Sequence, residues 1–258
     1  MSLTEGIGQL TARVDALINT FETKKAGIDA AVQSALRAAV SNYVRYYLDQ
    51  VNGDDKAEGT ISAPIKSIRE AIRRISSGWI LEIGFLGDYH MEAERYNMPR
   101  GSFITLFGQG GNGLNPATWP KLVMTMLPVE SVEDQYRVSG FHADRQGVAG
   151  LCFNHMKIVF PKQLDNTTHY ASAHNAFLST NSSYGPPHLF MDLSFCDIQR
   201  PETNAAGYLI GAGGRCVSLS LRNTTYPEER MAGRWISGIV ANTAVKDAST
   251  VLSNLKTL

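Results

Sequence analysis

The chain has little cysteine, and its few cysteines form no motif that is typical of a metal site, a redox site or a disulfide framework. Among 258 residues there are three cysteines, Cys152, Cys196 and Cys216, with no Cys-x-x-Cys pair. An odd number of widely spaced cysteines is typical of free thiols rather than of a disulfide framework or a metal site. The sequence therefore predicts folding in a reducing cytoplasm, with no metal and no other cofactor.

Net charge and long hydrophobic runs are also lacking. Lys plus Arg and Asp plus Glu number 24 each, so no broad positive field attracts nucleic acid or an anionic membrane. No apolar run approaches the roughly 20 residues that span a bilayer. Residues 1–8 lack the basic and hydrophobic parts of a signal peptide. We expect no nucleic-acid partner, no membrane insertion and no export by a signal peptide.

Common catalytic motifs are absent from the sequence too. Neither glycine-rich stretch, 108–113 or 211–214, is followed by Gly-Lys-Ser or Gly-Lys-Thr, which favours turns between strands over phosphate-binding loops. No Gly-x-Ser-x-Gly elbow occurs, and no spacing singles out the carboxylate pair that a glycosidase needs. The sequence predicts no enzyme, with a hydrolase of surface polysaccharide as an alternative.

Helical periodicity is the first pattern that is present. Apolar side chains recur at spacings of four and three residues, and isoleucine fills every such position in the second series. The two series are Leu3, Ile7, Leu10, Val14 and Leu17, and then Ile61, Ile65, Ile68, Ile72 and Ile75. A 3.5-residue period is typical of coiled coils, and isoleucine at both core positions favours three or four strands over two. The pattern predicts a homotrimer with these residues in its seam; an amphipathic helix packed on its own domain is the alternative.

After residue 78 the pattern becomes that of strands. Short apolar runs end at glycine, proline or polar residues, at 79–86, 102–107, 122–127, 136–141, 151–160, 189–195, 208–211, 216–221 and 235–240. Such a series favours a sandwich or an interlocked β-fold. Because no internal repeat is visible, a β-helix with stacked coils, typical of depolymerising tailspikes, is not favoured.

The expected fold class is therefore α+β, with an N-terminal helical, coiled-coil stalk and a mainly β head in a homotrimer. The expected regions are a helical attachment or stalk region at 1–52, a linker at 53–60, a trimeric coiled coil at 61–78, the β-rich head at 79–241 and a C-terminal helix at 242–258.

Long polar loops at 108–121, 162–187 and 197–206 are the candidate binding regions. Aromatic and imidazole rings in or beside them can stack on sugar faces while neighbouring amides bind hydroxyls. The candidate receptor-binding residues are Trp119, His169, Tyr170, Tyr184 and His188. Packing in the core or at an interface is the alternative role for each.

The N-terminal sequence LTEGIGQLTARVDAL at 3–17, the alanine-rich GIDAAVQSAL at 27–36 and the β-rich remainder resemble a bacteriophage tail or collar fibre. The resemblance implies a virion protein, assembled in the host cytoplasm, whose N-terminal part attaches to other tail, baseplate or collar proteins. It also implies that the head binds a glycan or protein on the host surface. A structural tail or collar decoration without a receptor is the alternative.

Overall fold

A computed structural model describes residues 6, 8, 13–25, 27–28, 42–92, 95–109, 115–129, 135–143, 148–162, 168–169, 175–180, 188–201 and 206–258. Its contacts divide the chain into two compact units, 1–42 and 43–258. In the first unit residues 13–25 are helical (α1), and Val14, Leu17 and Phe21 on this helix are exposed. Leu3, Ile7 and Leu10 lie outside the described residues. Among the described residues, no helix has both the length and the apolar character needed to cross a bilayer.

The second unit is built mainly of strands. Its described strands are β1 (Tyr43–Leu48), β2 (Ile80–Phe85), β3 (Tyr89–His90), β4 (Arg95–Met98), β5 (Phe103–Gly108), β6 (Lys121–Val123), β7 (Met126–Pro128), β8 (Gln135–Val138), β9 (Gly140–Ala143), β10 (Val148–Val159), β11 (Thr168–His169), β12 (Ala176–Thr180), β13 (His188–Gln199), β14 (Tyr208–Gly211), β15 (Cys216–Arg222) and β16 (Val251–Ser253). Its helices are short: α2 (Ile68–Arg73), α3 (Glu228–Met231) and the 3-10 turns Pro116–Thr118 and Val245–Asp247.

The strands form two stacks that follow the chain order. The large sheet runs β1-β2-β5-β10-β13-β15-β16, with β3 and β6 continuing it beside β10, and every pairing in it is parallel. The second sheet runs β4-β9-β12-β14 and is also parallel. Because each strand of the second sheet lies in sequence between two strands of the first, the chain winds as stacked coils, a parallel β-solenoid. A small third sheet, β7-β8-β11, pairs β7 with β8 antiparallel.

The core lies inside the coils and consists of ladders of apolar side chains. Alternate residues of each strand point inward, so in-register positions stack from coil to coil. Two such ladders are Val44, Leu81, Ile104, Leu151, Met191, Leu219 and Tyr46, Ile83, Leu106, Phe153, Leu193, Leu221. Full burial of each aliphatic or aromatic side chain contributes roughly 1.5–3 kcal/mol. These ladders hold neighbouring coils together.

The predicted helical, coiled-coil stalk is wrong. Ile65 and Ile68 are fully buried within their own chain, Ile72 and Ile75 are nearly so, and Ile61 is 54% exposed. The helix there has six residues, with the Ser67 side chain accepting from the N–H of Glu70 as its N-cap. Because α2 packs against β2 and β4, its apolar face covers the end of the solenoid core. Of the five isoleucines, Ile68 and Ile72 lie on α2, while Ile65 precedes it in a bridge with Leu48. The buried members of the series are thus covered by their own polypeptide.

The predicted sandwich-like or interlocked head is wrong for a related reason. Positions 43, 80, 103, 150, 190 and 218 occupy the same place in successive coils, yet their spacing in the sequence is uneven. A solenoid with coils of unequal length has no fixed period, so a search for repeats does not detect it. Within 242–258, the predicted C-terminal helix, the structure has the 3-10 turn at Val245–Asp247 and strand β16.

Candidate functional site

The two longest of the described strands, β10 and β13, are bent at one residue each. His155 has φ 54°, Phe195 has φ 53°, and Asn223, just after β15, has φ 50°. The neighbouring residues Asn154, Ser194 and Arg222 are in register, so the three left-handed residues lie at the same corner of successive coils. Left-handed backbone costs an L-residue roughly 1–2 kcal/mol, and such conformations cluster at functional sites. The corner therefore marks a candidate site.

Three rings define what we call the aromatic corner: Trp119, His155 and Phe195. The His155 and Phe195 rings stack with centroids 5.0 Å apart. Trp119 meets His155 edge to face at 5.7 Å. Trp119 is 6% exposed, so most of its side chain is buried at the corner. The same residue also lines a surface cavity.

Beyond the corner, the outward side chains of successive coils form what we call the polar row: Lys121, Lys157, Asp197 and Thr225. Lys121 pairs in register with Lys157, Lys157 with Asp197, and Asp197 with Thr225. Since neighbouring strands are about 4.8 Å apart, the row presents polar groups at regular intervals along the solenoid. Leu122, Ile158 and Ile198, the residues that follow the first three, point into the core. The alternation fixes which residues face outward.

A cavity lies at each end of the polar row. One, of about 370 Å³, is lined by Asp88, Lys121, Lys157 and Trp119 among others. The second, of about 400 Å³, is lined by residues that include Asp197, Gln199, Thr225, Tyr226 and Arg230. The row and the aromatic corner thus border an elongated surface with a depression at both ends.

The two ends of the row differ in how their charged groups are hydrogen-bonded. Both carboxylate oxygens of Asp197 accept hydrogen bonds, from Thr225 Oγ1 at 2.7 Å and from Gln199 Nε2 at 2.7 Å. At the other end Lys121 Nζ lies 4.0 Å from Asp88 Oδ2. Lys157 Nζ donates to a neutral acceptor, the Ala117 carbonyl, at 3.3 Å. Each cavity is thus lined by one carboxylate and two cations: Asp197 with Arg200 and Arg230 at one end, and Asp88 with Lys121 and Lys157 at the other.

A second polar group lies on the outer face of the large sheet before the bend. Glu82 accepts from Tyr43 Oη at 2.6 Å and from Arg45 Nε at 2.7 Å. The hydrogen bond to Glu82 raises the pKa of the Tyr43 hydroxyl above its ordinary value. The Arg45 guanidinium also lies over the Phe107 ring, 5.3 Å from its centroid. These residues bind one another and border neither cavity of the polar row.

A serine–histidine contact occurs on the second sheet, but its surroundings are not those of a nucleophile. His142 Nδ1 lies 3.0 Å from Ser179 Oγ, which is the reach of a base and its nucleophile. However, Ser179 is fully buried, and its hydroxyl also accepts from Arg95 Nη1. Burial lowers the pKa of Arg95 to about 9. With no solvent-accessible oxygen on Ser179, the cluster is structural.

Among the residues that the structure describes, no group of three or more His, Cys, Asp or Glu side chains is placed to hold a metal ion.

Cys152 and Cys196 are both free. They are held as thiols because burial raises the pKa of Cys152 to about 11 and that of Cys196 to about 12.

Of the residues predicted from sequence to bind a receptor, Trp119 lies at the aromatic corner. His188 lies on β13 before the bend, where Nε2 is 2.9 Å from Ser218 Oγ. The backbone of His169 is in β11; Tyr170 and Tyr184 lie outside the described residues.

Sequence reasoning passed over Lys121, Lys157 and Thr225, and it had no ground for preferring Asp197 among the carboxylates. The only local signal was a polar residue followed by an aliphatic one at 121–122, 157–158 and 197–198. It shows that these residues face outward, but not that they stack.

No protein-family model, curated protein or solved structure matches the chain.

Proposed function

We propose that the solenoid binds an extended glycan of a bacterial surface along the polar row and the aromatic corner, and that the chain is a bacteriophage fibre protein. One observation carries this proposal: in-register polar side chains form a row with a cavity at each end and an aromatic corner beside it. A linear polymer is the ligand that suits an elongated surface of this kind.

The chemistry of the row supports a carbohydrate. Asp197 and Gln199 offer a carboxylate and an amide, which accept from and donate to sugar hydroxyls. The aromatic corner supplies apolar ring surface next to these polar groups, and amphipathic rings of this kind suit ligands with one apolar and one polar side.

The N-terminal unit supports the attachment part of the proposal. Val14, Leu17, Ile18 and Phe21 are between 46% and 65% exposed on α1. Spacings of three and four residues place them on one helix face. An exposed apolar face is typical of a protein–protein contact, and we assign it to virion tail, baseplate or collar proteins.

Homotrimerisation is the second part of the proposal, because three weak glycan sites on one particle would give residence that one site does not. Sedimentation equilibrium of the full chain at micromolar concentration tests homotrimerisation, and a monomeric mass contradicts it.

A second experiment tests the exposed face of α1. Replacing Leu17 and Phe21 with Asp should abolish incorporation into particles while leaving the thermal transition of the solenoid unchanged. Particles that still incorporate this variant contradict the assignment of the α1 face.

Glycan binding is tested with the fluorescently labelled full chain on surfaces coated with purified capsular and lipopolysaccharide glycans. We expect adsorption to at least one glycan, weakened roughly tenfold or more by the double variant Asp197→Ala, Thr225→Ala, which removes a charged and a neutral hydrogen-bonding group. Asp247→Ala is the matched control, because Asp247 is exposed and lines neither cavity.

Two outcomes oppose the proposal in different ways. Equal adsorption of the double variant and the wild type moves the glycan site elsewhere on the chain. No adsorption to any glycan, with normal incorporation into particles, favours a structural tail or collar decoration.

The parallel coils favour one further candidate, a surface-polysaccharide hydrolase, because stacked coils are typical of depolymerising tailspikes. Asp88 and Asp197 line separate cavities at the two ends of the row, too far apart to be the two carboxylates of one glycosidase site, so each is tested on its own. Release of reducing ends from a bound glycan, abolished by Asp88→Asn or Asp197→Asn, would support hydrolysis; binding without such release excludes it for that glycan.

A further inference from the structure

The Lys121 end of the polar row has a composition of its own, and it indicates which class of glycan the row takes. Lys121 and Lys157 are in-register partners on β6 and β10, so their Cα atoms are about one strand spacing apart, roughly 4.8 Å. Both side chains line the same cavity of about 370 Å³, together with Trp119 and Asp88. Two ammonium groups therefore border one small space.

The cavity holds more positive than negative charge. Asp88 is its carboxylate, and one oxygen of that group already accepts the backbone N–H of Lys121 at 2.8 Å. The other oxygen is 4.0 Å from Lys121 Nζ, a long contact for an ion pair. Among the residues that the structure describes, no carboxylate forms an ion pair with Lys157, whose ammonium donates to the Ala117 carbonyl. The side chains that line this cavity are therefore two ammoniums and one carboxylate, while Asp197, the in-register neighbour of Lys157 on the next coil, lines the other cavity.

We propose that Lys121 and Lys157 form a subsite for a sugar that carries one negative charge, such as the carboxylate of a uronic acid. This rests on the proposed glycan-binding function and names the class of glycan. A single carboxylate neutralises the cavity, whereas a phosphate monoester, with a charge of about −1.5 to −2 at pH 7, exceeds what it can balance. Trp119, which is 6% exposed, also lines this cavity.

The test measures binding of a galacturonate oligosaccharide and of its methyl ester to the full chain by isothermal titration calorimetry. We expect the acid to bind at least tenfold more tightly than the ester. Its affinity should fall as sodium chloride is raised, because the lysines are at the surface; that of the ester should not. The double variant Lys121→Met, Lys157→Met keeps the apolar stems and should bind acid and ester equally.

Lys246→Met is the matched control and should retain the preference for the acid, since Lys246 is exposed and borders neither cavity. A poly(glycerol phosphate) probe distinguishes a phosphodiester from a carboxylate as the source of the charge. Equal binding of acid and ester by the wild type, or tighter binding of the phosphodiester than of the acid, overturns the subsite while leaving glycan binding intact. Absence of binding by every probe, together with no adsorption to the coated glycans, overturns the proposed function itself.

Discussion

His155 and Phe195 stack with their ring planes 2° from parallel and their centroids 5.0 Å apart. The spacing of the rings is close to the roughly 4.8 Å between neighbouring strands, so the coils bring the two side chains into contact without further adjustment. Both residues have left-handed backbone, and this conformation turns the chain at the corner. Ring stacking and the bend thus occur in the same two residues.

Substitutions at Phe195 can separate the effect of the backbone conformation on stability from the effect of the ring stacking. Phe195→Gly and Phe195→Ala both remove the stack, but glycine adopts φ 53° without the penalty that alanine incurs there. We expect the glycine variant to be more stable than the alanine variant by about 1 kcal/mol, measured by urea denaturation. The reverse order, which is usual inside strands, would show that the corner is not held in the left-handed conformation.

Ile68 tests the correction of the coiled-coil prediction. Ile68→Ala should lower the free energy of unfolding by roughly 2–5 kcal/mol, because the side chain is fully buried in the core of its own chain. Ile61→Ala, at a position that is 54% exposed, should change stability by no more than about 0.5 kcal/mol. Urea denaturation gives both values. If Ile68→Ala instead changed the oligomeric mass at unchanged stability, Ile68 would belong to a seam between chains.

Glu70 makes part of the stability depend on pH. The Arg73 guanidinium donates to it at 2.6 Å and Arg74 at 2.7 Å, and these hydrogen bonds lower the pKa of the Glu70 carboxyl from 4.5 to about 2. A carboxyl whose pKa is depressed in the folded state stabilises the protein above its unfolded pKa, and this contribution is lost as the pH falls.

The stability difference between the wild type and Glu70→Gln should therefore be largest above pH 4.5 and should shrink as the pH falls toward 2. Urea denaturation at a series of pH values measures it, with Glu58→Gln, at an exposed position, as the control. A difference that stays constant over this range would show that the contribution of Glu70 to stability does not depend on the charge of its carboxyl group.

Gly140 tests how tightly β9 and β12 approach each other. A Cβ added at Gly140 would overlap the backbone carbonyl of Phe177, and backbone cannot move aside as a flexible side chain does. We expect Gly140→Ala to destabilise the protein by roughly 1–3 kcal/mol. At Gly87 nothing lies within 4 Å of an added Cβ, so Gly87→Ala should be neutral or slightly stabilising. Equal thermal transitions for the two variants would contradict the close approach.

Much of the strand content could be predicted, because a buried strand reads as a short apolar run wherever it pairs. The runs at 79–86, 102–107, 208–211 and 216–221 coincide with β2, β5, β14 and β15. The run at 235–240 does not form a strand; Ile236 makes an isolated bridge with Ile210. β12 was missed, since its sequence Ala-Phe-Leu-Ser-Thr is buried throughout but has an apolar run of only three residues.

The candidate site was predicted less well than the strands. Trp119 was singled out as a ring beside a long loop, and the structure places it at the aromatic corner. Its neighbours there, His155 and Phe195, lie within apolar runs that read as continuous strands. A left-handed residue inside a strand has no sequence signature when it is not glycine or asparagine. Neither the bend nor the polar row beyond it could therefore be predicted from the sequence.

The sequence by itself indicated many of the side chains that avoid water: Ile68 and Ile72 on α2 and the inward residues of the strands are buried, although Ile61 of the same series is 54% exposed. Only the tertiary structure decided what covers them, because a periodicity describes one surface and says nothing of its partner. The parallel stacking and the meeting of Lys121 with Lys157 depend on coils of unequal length closing in register, and that register is set by packing between residues far apart in the chain.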